Sequence, residues 1–123
     1  MFIAVDFDGT IADFDKNANS KEISGAFEVL KLISDAGHDL ILYTMRNGRY
    51  LEEAVEFCKK NNIHFAAVND NPFVDQSNFS RKVFADYYID ERAIGCPVYY
   101  NSEGSRCADW DKIKKMLKEL GVI

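Results

Sequence analysis

The apolar residues of the chain fall into two kinds of segment that alternate along it. Five short runs are almost entirely apolar, and these lie at residues 2–6, 40–43, 63–68, 83–89 and 97–100. Three longer segments carry apolar side chains at helical spacing, and these lie at residues 20–37, 48–62 and 110–120. Unbroken short runs are typical of strands buried on both faces, whereas the longer pattern is typical of amphipathic helices. The alternation, without a hairpin signal, predicts an α/β domain around a parallel sheet of about five strands.

Length and composition limit the classes of protein to which the chain can belong. With 123 residues, of which 47% are hydrophobic, it is long enough for one domain, which we assign to residues 1–123. The formal net charge of −5 gives no overall attraction to nucleic acid or to an anionic membrane, so neither is expected as a partner. No apolar stretch approaches the roughly 20 residues of a membrane span. Three widely spaced cysteines and an N-terminus without signal-peptide features predict a cytoplasmic protein with reduced thiols.

Polar side chains follow several of the predicted strands at the point where each strand ends. In parallel α/β sheets the ligand site lies beyond the carboxyl ends of the strands. The residues at those ends, together with the lysine before the fourth strand, are Asp6, Asp8, Thr44, Asp90, Glu91 and Lys82. We therefore expect four carboxylates, a hydroxyl group and an ammonium group at one edge of the sheet.

A group of carboxylates at one edge predicts a bound cation, because closely spaced carboxylates cannot all remain ionised without one. Hard oxygen ligands suit Mg²⁺, which takes one or two protein carboxylates and leaves room for water and substrate phosphate. A bound Mg²⁺ with Lys82 nearby would form an anion-binding pocket in an otherwise acidic chain. The pattern therefore predicts a Mg²⁺ cofactor and a phosphorylated substrate.

Four short motifs occur in order along the chain. "DFDGT" at residues 6–10 follows the first apolar run, and "LILYTMR" contains a second run that ends at Thr44. "SRKVFADYYIDER" contains Lys82 and closes on the pair Asp90 and Glu91. Together these motifs resemble the four signatures of the haloacid dehalogenase superfamily of phosphohydrolases, of which DxDGT is the most specific. The resemblance covers almost the whole chain and implies a three-layer α/β/α sandwich with a Rossmann-like sheet.

The resemblance implies a role for each catalytic residue. Asp6 would attack phosphorus and form an aspartyl-phosphate, which divides a slow hydrolysis into two easier steps. Asp8 would protonate the leaving oxygen and later remove a proton from the attacking water. Gly9 would allow the tight turn that brings Asp8 over the site. Thr44 would donate a hydrogen bond to a phosphoryl oxygen, and Lys82 would offset negative charge on the nucleophile and phosphate.

The resemblance also implies the ligands of the metal ion. Mg²⁺ would be held by Asp6, by the backbone carbonyl of Asp8 and by Asp90, with Glu91 as a further ligand. The acidic pair of the fourth motif is often Asp-Asp, whereas here it is Asp-Glu. Direct coordination by Glu91 and coordination through water therefore both stay open.

Three further residues near the motifs are candidates for the site, and a fourth is excluded from it. Arg81 is the alternative to Lys82 as the cation of the third motif. Arg46 and Asn47 follow the second motif, where they either contact the substrate or are polar residues at the start of a helix. Asp86 is excluded from the site because it lies at the start of the fourth predicted strand, at the far end of the sheet.

The spacing of the motifs leaves no room for a cap domain, which members of this superfamily often use to select substrates. Only about ten residues separate the first motif from the first predicted helix, and residues 44–82 have room for one helix, one strand and a loop. We therefore expect an open site that serves a large or extended phosphorylated partner, or a homo-oligomer in which a second subunit supplies the lid. The loop at residues 69–80, with Phe73 and Phe79, is the predicted source of local selectivity.

A receiver-like signalling module that accepts a phosphoryl group without true turnover is the alternative function. That class also combines an aspartyl-phosphate, Thr or Ser, Lys and Mg²⁺ in a parallel α/β fold. A receiver requires adjacent acids after its first strand and a phosphoacceptor Asp after its third. Here Asp6 and Asp8 are separated by one residue, and the third run is followed by Asn69 before Asp70. The spacing favours a Mg²⁺-dependent phosphatase that hydrolyses a phosphate monoester.

Overall fold

The computed structural model describes residues 1–14, 19–72 and 80–123. Three helices lie in these ranges, and they are α1 (Ala26–Asp35), α2 (Gly48–Lys60) and α3 (Trp110–Glu119). Eight strands lie in the same ranges, and they are β1 (Phe2–Val5), β2 (Ala12–Phe14), β3 (Ser20–Glu22), β4 (Asp39–Leu42), β5 (Ala67–Val68), β6 (Tyr87–Ile89), β7 (Val98–Tyr100) and β8 (Arg106–Ala108). The strands predicted at residues 2–6 and 40–43 and the helices predicted at residues 48–62 and 110–120 are confirmed.

The main sheet has four parallel strands in the order β5-β4-β1-β6. β1 lies between β4 and β6, and its Val5 is aligned with Leu42 on one side and with Ile89 on the other. The carboxyl ends of the two central strands and of β6 therefore lie side by side at one edge of the sheet. The prediction of an α/β fold around a parallel, Rossmann-like sheet is confirmed.

Two antiparallel hairpins depart from the predicted pattern. β2 pairs with β3, and the fifth predicted strand, β7, pairs with β8 in a separate two-stranded sheet. The main sheet in the described ranges therefore has four strands, without the fifth predicted strand, and the sequence analysis missed both hairpins because it found no hairpin signal. Strands of three residues are too short to show a clear alternation of apolar and polar positions. The signal that was present is the turn "NSEGS", in which Gly104 has a φ of +81° and Asn101 accepts two backbone N–H groups.

The helix predicted for residues 20–37 begins later than expected. Its first residues form β3, and Gly25, with a φ of +87°, reverses the chain before α1. The Glu22 carboxylate accepts a hydrogen bond of 2.9 Å from the backbone N–H of Phe27 and so satisfies one free donor of the first turn. The later strands are also shorter than predicted, since only Ala67–Val68 of residues 63–68 and Tyr87–Ile89 of residues 83–89 are extended in the sheet.

Apolar side chains are buried on both faces of the sheet. Ile3 and Val5 point to one face, where they share a large cluster with the buried residues of all three helices. Ala4 points to the other face, where it packs with Val83 and Ala85 of the segment before β6. α1 and α2 share the face of Ile3 and Val5, as expected for right-handed crossovers that step in the same direction across the sheet, from β1 to β4 and from β4 to β5. In the described ranges, the third layer of the sandwich is therefore a segment without helix.

The described part of the chain contains no inserted cap domain. A single hairpin separates the turn after β1 from α1, and only α2, β5 and their loops lie between Thr44 and Lys82. The two segments outside the described ranges have four and seven residues, which is too few for a domain. No helix in residues 1–14, 19–72 and 80–123 is both long and apolar enough to cross a membrane. Phe73 and Phe79, predicted to contribute selectivity, lie outside the described residues.

Candidate active site

Three of the predicted carboxylates meet at the carboxyl edge of the sheet. Asp6 follows β1, and Asp90 and Glu91 follow the neighbouring β6. The backbone N–H of Asp6 donates to the carbonyl oxygen of Ile89 at 3.0 Å, so the ladder between the two strands continues to the site. Each carboxylate offers one oxygen, and these three oxygens lie within 4.8 Å of one another. The arrangement has the size and the donor chemistry of a site for a hard divalent cation.

Thr10 links the two strand ends that carry these carboxylates. Its side chain is fully buried, and its hydroxyl donates to Oε2 of Glu91 at 2.8 Å. The same hydroxyl oxygen accepts the backbone N–H of Glu91 at 3.1 Å and lies 3.2 Å from Oδ2 of Asp6. The carbonyl of Thr10 accepts a 2.7 Å hydrogen bond from the indole N–H of Trp110 in α3. Our sequence analysis assigned no role to Thr10, although its place in "DFDGT" was a signal for one.

Gly9 leaves the space that Glu91 occupies. It has a φ of +81°, within a turn in which the N–H groups of Thr10, Ile11 and Ala12 all donate to the carbonyl of Phe7. A Cβ atom at residue 9 would lie 2.8 Å from Oε1 of Glu91, which is closer than non-bonded atoms approach. Glycine is therefore required here both for the backbone conformation and for the close approach of the buried carboxylate.

Burial and two neighbouring carboxylates shape the electrostatic environment of Asp6. Its pKa is raised from 3.8 to about 8, chiefly by burial and then by a hydrogen bond with Glu91. The negative charges of Asp90 and Glu91 raise the pKa further, while a backbone hydrogen bond from Phe7 lowers it. A divalent cation among the three carboxylates would oppose each of these charge effects and favour the ionised form of Asp6.

The raised pKa predicts how the stability of the cation-free protein depends on pH. Between pH 3.8 and about 8 the unfolded chain has lost the Asp6 proton that the folded chain retains, so the free energy of unfolding falls as the pH rises. The slope from this single proton is at most about 1.4 kcal/mol per pH unit. Thermal unfolding in chelator should show this fall in the wild type, and Asp6→Asn should remove that contribution. Added Mg²⁺ should raise the Tm more at pH 8 than at pH 5, and an equal slope in both proteins would contradict the assignment.

Asp8 lies apart from the three-carboxylate cluster and is paired with Arg46. Nε of Arg46 donates to Oδ2 of Asp8 at 2.8 Å, and Nη2 donates to Oδ1 at 2.7 Å. The side chain of Asp8 is 46% exposed, whereas that of Arg46 is only 8% exposed. Among the described residues, the carboxylate of Asp8 is not one of the grouped oxygen ligands. Its predicted contribution through the backbone carbonyl stays a prediction.

Thr44 and Asn47 lie where the second motif meets α2. The backbone N–H of Thr44 donates to Oδ1 of Asn69 at 2.8 Å, and its hydroxyl oxygen accepts the backbone N–H of Arg46 at 3.1 Å. Asn47 is the exposed residue at the N-terminus of α2, and its side chain makes no capping hydrogen bond there. Our sequence analysis placed Asn69 only in a loop, yet its side chain orients the backbone that carries Thr44.

Lys82 does not join the acidic cluster in this structure. Its ammonium group lies 5.9 Å from the centroid of the Tyr88 ring, and its side chain is exposed. Neither Lys82 nor Arg81 is among the described groups that shift the pKa of Asp6. Asp86 lies at the opposite end of the sheet, where its carboxylate accepts the N–H of Phe2 at 2.7 Å, so its exclusion from the site is confirmed.

Comparisons with known proteins place the chain by its fold. No protein-family model matches the chain, and no curated protein matches it. Among solved structures, a conserved protein coded by a locus of Bacteroides thetaiotaomicron is 40% identical in sequence, with a TM-score of 0.77. The match covers 98% of this chain and 91% of that one. At this identity and coverage, the chain belongs to the same family as the conserved Bacteroides thetaiotaomicron protein.

Proposed function

We propose that this protein is a Mg²⁺-dependent phosphatase of the haloacid dehalogenase type, which hydrolyses a phosphate monoester through an aspartyl-phosphate on Asp6. The observation that carries the proposal is the cluster of three carboxylate oxygens within 4.8 Å at the carboxyl edge of a parallel sheet. Asp6 belongs to that cluster and follows the central strand β1 directly. The "DFDGT" segment supports the same assignment, because its glycine and threonine are both required by the position of Glu91.

The residues of the cluster fit a magnesium ion. Asp6 and Asp90 would supply carboxylate oxygens directly, and Glu91 would act as a direct or water-mediated ligand. When bound, Mg²⁺ would neutralise charge on the carboxylates and polarise a phosphoryl oxygen. Glu91 is 6% exposed and anchored by Thr10, so it would support the site without changing its own position.

Two carboxylates would perform the bond making and breaking. Oδ of Asp6 attacks phosphorus, the ester P–O bond breaks, and Asp8 transfers its proton to the departing oxygen. A water molecule then attacks phosphorus, Asp8 takes a proton from that water, and the P–Oδ bond breaks. Inorganic phosphate leaves, and both aspartates return to their starting state. The different surroundings of the two carboxyl groups support this division, because Asp6 lies in the cluster and Asp8 lies outside it.

The remaining predicted residues would bind the phosphoryl group. The Thr44 hydroxyl would donate to a phosphoryl oxygen, and Arg46 and Asn47 at the start of α2 would add further hydrogen bonds. The cation of the third motif would be Lys82, with Arg81 as the alternative. Lys82 would have to leave the Tyr88 ring to reach the phosphate, and the flexible lysine stem allows such a movement.

The absence of a cap domain from the described ranges supports a substrate that is large or extended. An open edge does not enclose a small molecule or exclude water from it by itself. A phosphorylated macromolecule, or a second copy of this chain, would then supply the missing cover. The three cysteines are free thiols, which suits the predicted cytoplasmic location.

The proposal is tested by phosphate release from a panel of phosphate monoesters, in Mg²⁺ and in excess chelator. The panel should include a small sugar phosphate, a nucleotide and a phosphorylated protein. We expect turnover that requires the metal, and a higher kcat/KM for the larger substrates. Absence of turnover with every substrate in Mg²⁺, or equal turnover in chelator, would contradict the proposal.

A receiver-like phosphoryl acceptor remains the second candidate. Hydrolysis requires the carboxylate of Asp8, and this carboxylate is paired with Arg46. Such a module would accept one phosphoryl group from a small donor such as acetyl phosphate and keep it. Mass spectrometry after exposure to that donor would then show a stable, stoichiometric adduct on Asp6. A phosphatase would instead release phosphate through many turnovers.

A further inference from the structure

Arg46 is held by contacts on every side of its guanidinium group. Besides the two hydrogen bonds to Asp8, Nη1 donates to the backbone carbonyl of Tyr50 at 3.0 Å. The central guanidinium carbon lies 4.6 Å from the centroid of the Phe7 ring, which is a cation–π distance. Arg46 is only 8% exposed and Asp8 is 46% exposed, so the ion pair has a buried cation and a carboxylate that solvent can reach.

This ion pair engages both oxygens of the Asp8 carboxylate. Both carboxylate oxygens of Asp8 accept hydrogen bonds from the guanidinium group, at 2.8 and 2.7 Å. The guanidinium group therefore occupies both oxygens of Asp8, and this carboxylate is not part of the three-oxygen cluster that contains Asp6. The pair must open before Asp8 can act on a leaving group, so the structure represents a resting arrangement of the proposed site.

A phosphoryl group is the ligand best suited to open the pair. The planar fork of an arginine binds two oxygens of a phosphate in the same two-pronged manner as it binds a carboxylate. A phosphate monoester carries up to two negative charges, whereas Asp8 carries one. Arg46 is also positioned to make the exchange, because its backbone N–H donates to the hydroxyl oxygen of Thr44, the predicted phosphate-binding residue.

We propose that Arg46 is an ion-pair switch, which holds Asp8 in the resting protein and transfers to the phosphoryl group when a substrate enters. The transfer frees Asp8 to turn towards the leaving oxygen, so the acid and base group becomes available only when a phosphoryl anion is present. The one bond change in this step is at Asp8, whose freed carboxylate takes a proton from solvent water and so becomes the acid that the leaving oxygen requires. The inference rests on the proposed function and deepens it, because it assigns the regulation of the same site.

The switch is tested by the binding of inorganic phosphate in Mg²⁺, measured by calorimetry without any turnover. Asp8→Asn removes the partner from which Arg46 must be taken, so phosphate should bind about tenfold more tightly. The same substitution also removes a nearby negative charge, which would favour phosphate without any switch. The Arg46→Met background separates the two causes, since Met keeps the apolar contact with Phe7 but has no fork. There the effect of Asp8→Asn should shrink to about twofold or less.

A direct readout comes from the Nε–H resonance of Arg46 in proton–nitrogen spectra, assigned by its loss in Arg46→Lys. Saturating phosphate with Mg²⁺ should move this resonance, and Asp8→Asn should move it before phosphate is added. Arg49 is the matched control, because it lies exposed in the first turn of α2, three residues after Arg46, and pairs with Glu53. Its resonance should stay in place, and Arg49→Met should leave phosphate affinity and turnover unchanged, whereas Arg46→Met should raise KM.

The outcomes separate the switch from the phosphatase activity. Phosphate that binds without moving the Arg46 resonance, or an equal effect of Asp8→Asn in both backgrounds, would overturn the switch alone. Phosphate exchange at Arg46 in a protein without turnover would support the switch and count against the phosphatase. Absence of phosphate binding at any concentration would overturn both.

Discussion

Asp6→Asn is expected to abolish phosphate release, with a fall in kcat of about 10⁴-fold or more. The amide cannot form the aspartyl-phosphate, and it also removes one of the three oxygen ligands of the proposed metal site. The loss should not reflect unfolding, because a neutral amide avoids the burial cost of a charge and the repulsion by Asp90 and Glu91, which together help to raise the pKa of Asp6 to about 8. Initial rates of phosphate release, measured beside thermal unfolding curves in chelator, check both parts of this expectation.

Asp39→Asn is the matched control for this substitution. Asp39 is an exposed aspartate at the amino end of β4, so the same chemical change there lies at the opposite end of the sheet. Its activity should equal that of the wild type.

Asp8→Asn should instead form the aspartyl-phosphate slowly and retain it, which mass spectrometry of the intact protein would detect. Full activity of Asp6→Asn would end the covalent mechanism.

Gly9→Ala is expected to destabilise the protein and to weaken the metal site at the same time. A left-handed φ of +81° costs an alanine about 1–2 kcal/mol. The new Cβ would also lie 2.8 Å from Oε1 and 2.9 Å from Cδ of Glu91, so that buried carboxylate would have to move. We expect a total loss of about 2–4 kcal/mol in the free energy of unfolding, measured by denaturant titration. The increase in Tm on addition of Mg²⁺ should also become smaller.

Gly37→Ala separates the two causes of that loss. Gly37 follows α1 with a φ of +90°, and a Cβ there would meet no atom within 4 Å. It therefore carries the conformational cost alone, about 1–2 kcal/mol, and should leave the response to Mg²⁺ unchanged. If the two alanine variants lose equal stability and respond equally to Mg²⁺, the contact with Glu91 does not matter for the site.

The pattern of apolar residues was sufficient to predict the main architecture. Runs without polar interruption identified β1 and β4, and the helical spacing identified α2 and α3. The ends of the first and fourth apolar runs then identified Asp6, Asp90 and Glu91, and one oxygen from each of these lies within 4.8 Å of the others. This prediction needed no knowledge of side-chain contacts, because the carboxyl ends of neighbouring parallel strands always lie at the same edge.

Features that depend on contacts between distant segments were not predictable in the same way. The pair of Asp8 with Arg46 joins residues 38 positions apart, and the hydrogen bonds of Thr10 with Glu91 join residues 81 positions apart. Lys82 was expected beside Asp6, yet its ammonium group lies over the Tyr88 ring. Each of these outcomes depends on which of several polar partners is nearest after folding, and local spacing carries no such information.

The sequence by itself determined the fold class, the placement of Asp6, Asp90 and Glu91 at one edge of the sheet and the position of the glycine turn. These follow from periodicity, strand ends and the restricted conformations of the backbone, which are local properties. Only the tertiary structure decided that Thr10 joins Asp6 to Glu91 and that Arg46 holds Asp8. The physical reason is that hydrogen bonds and ion pairs act over a few ångströms, so distant residues interact only after the sheet has brought their segments together.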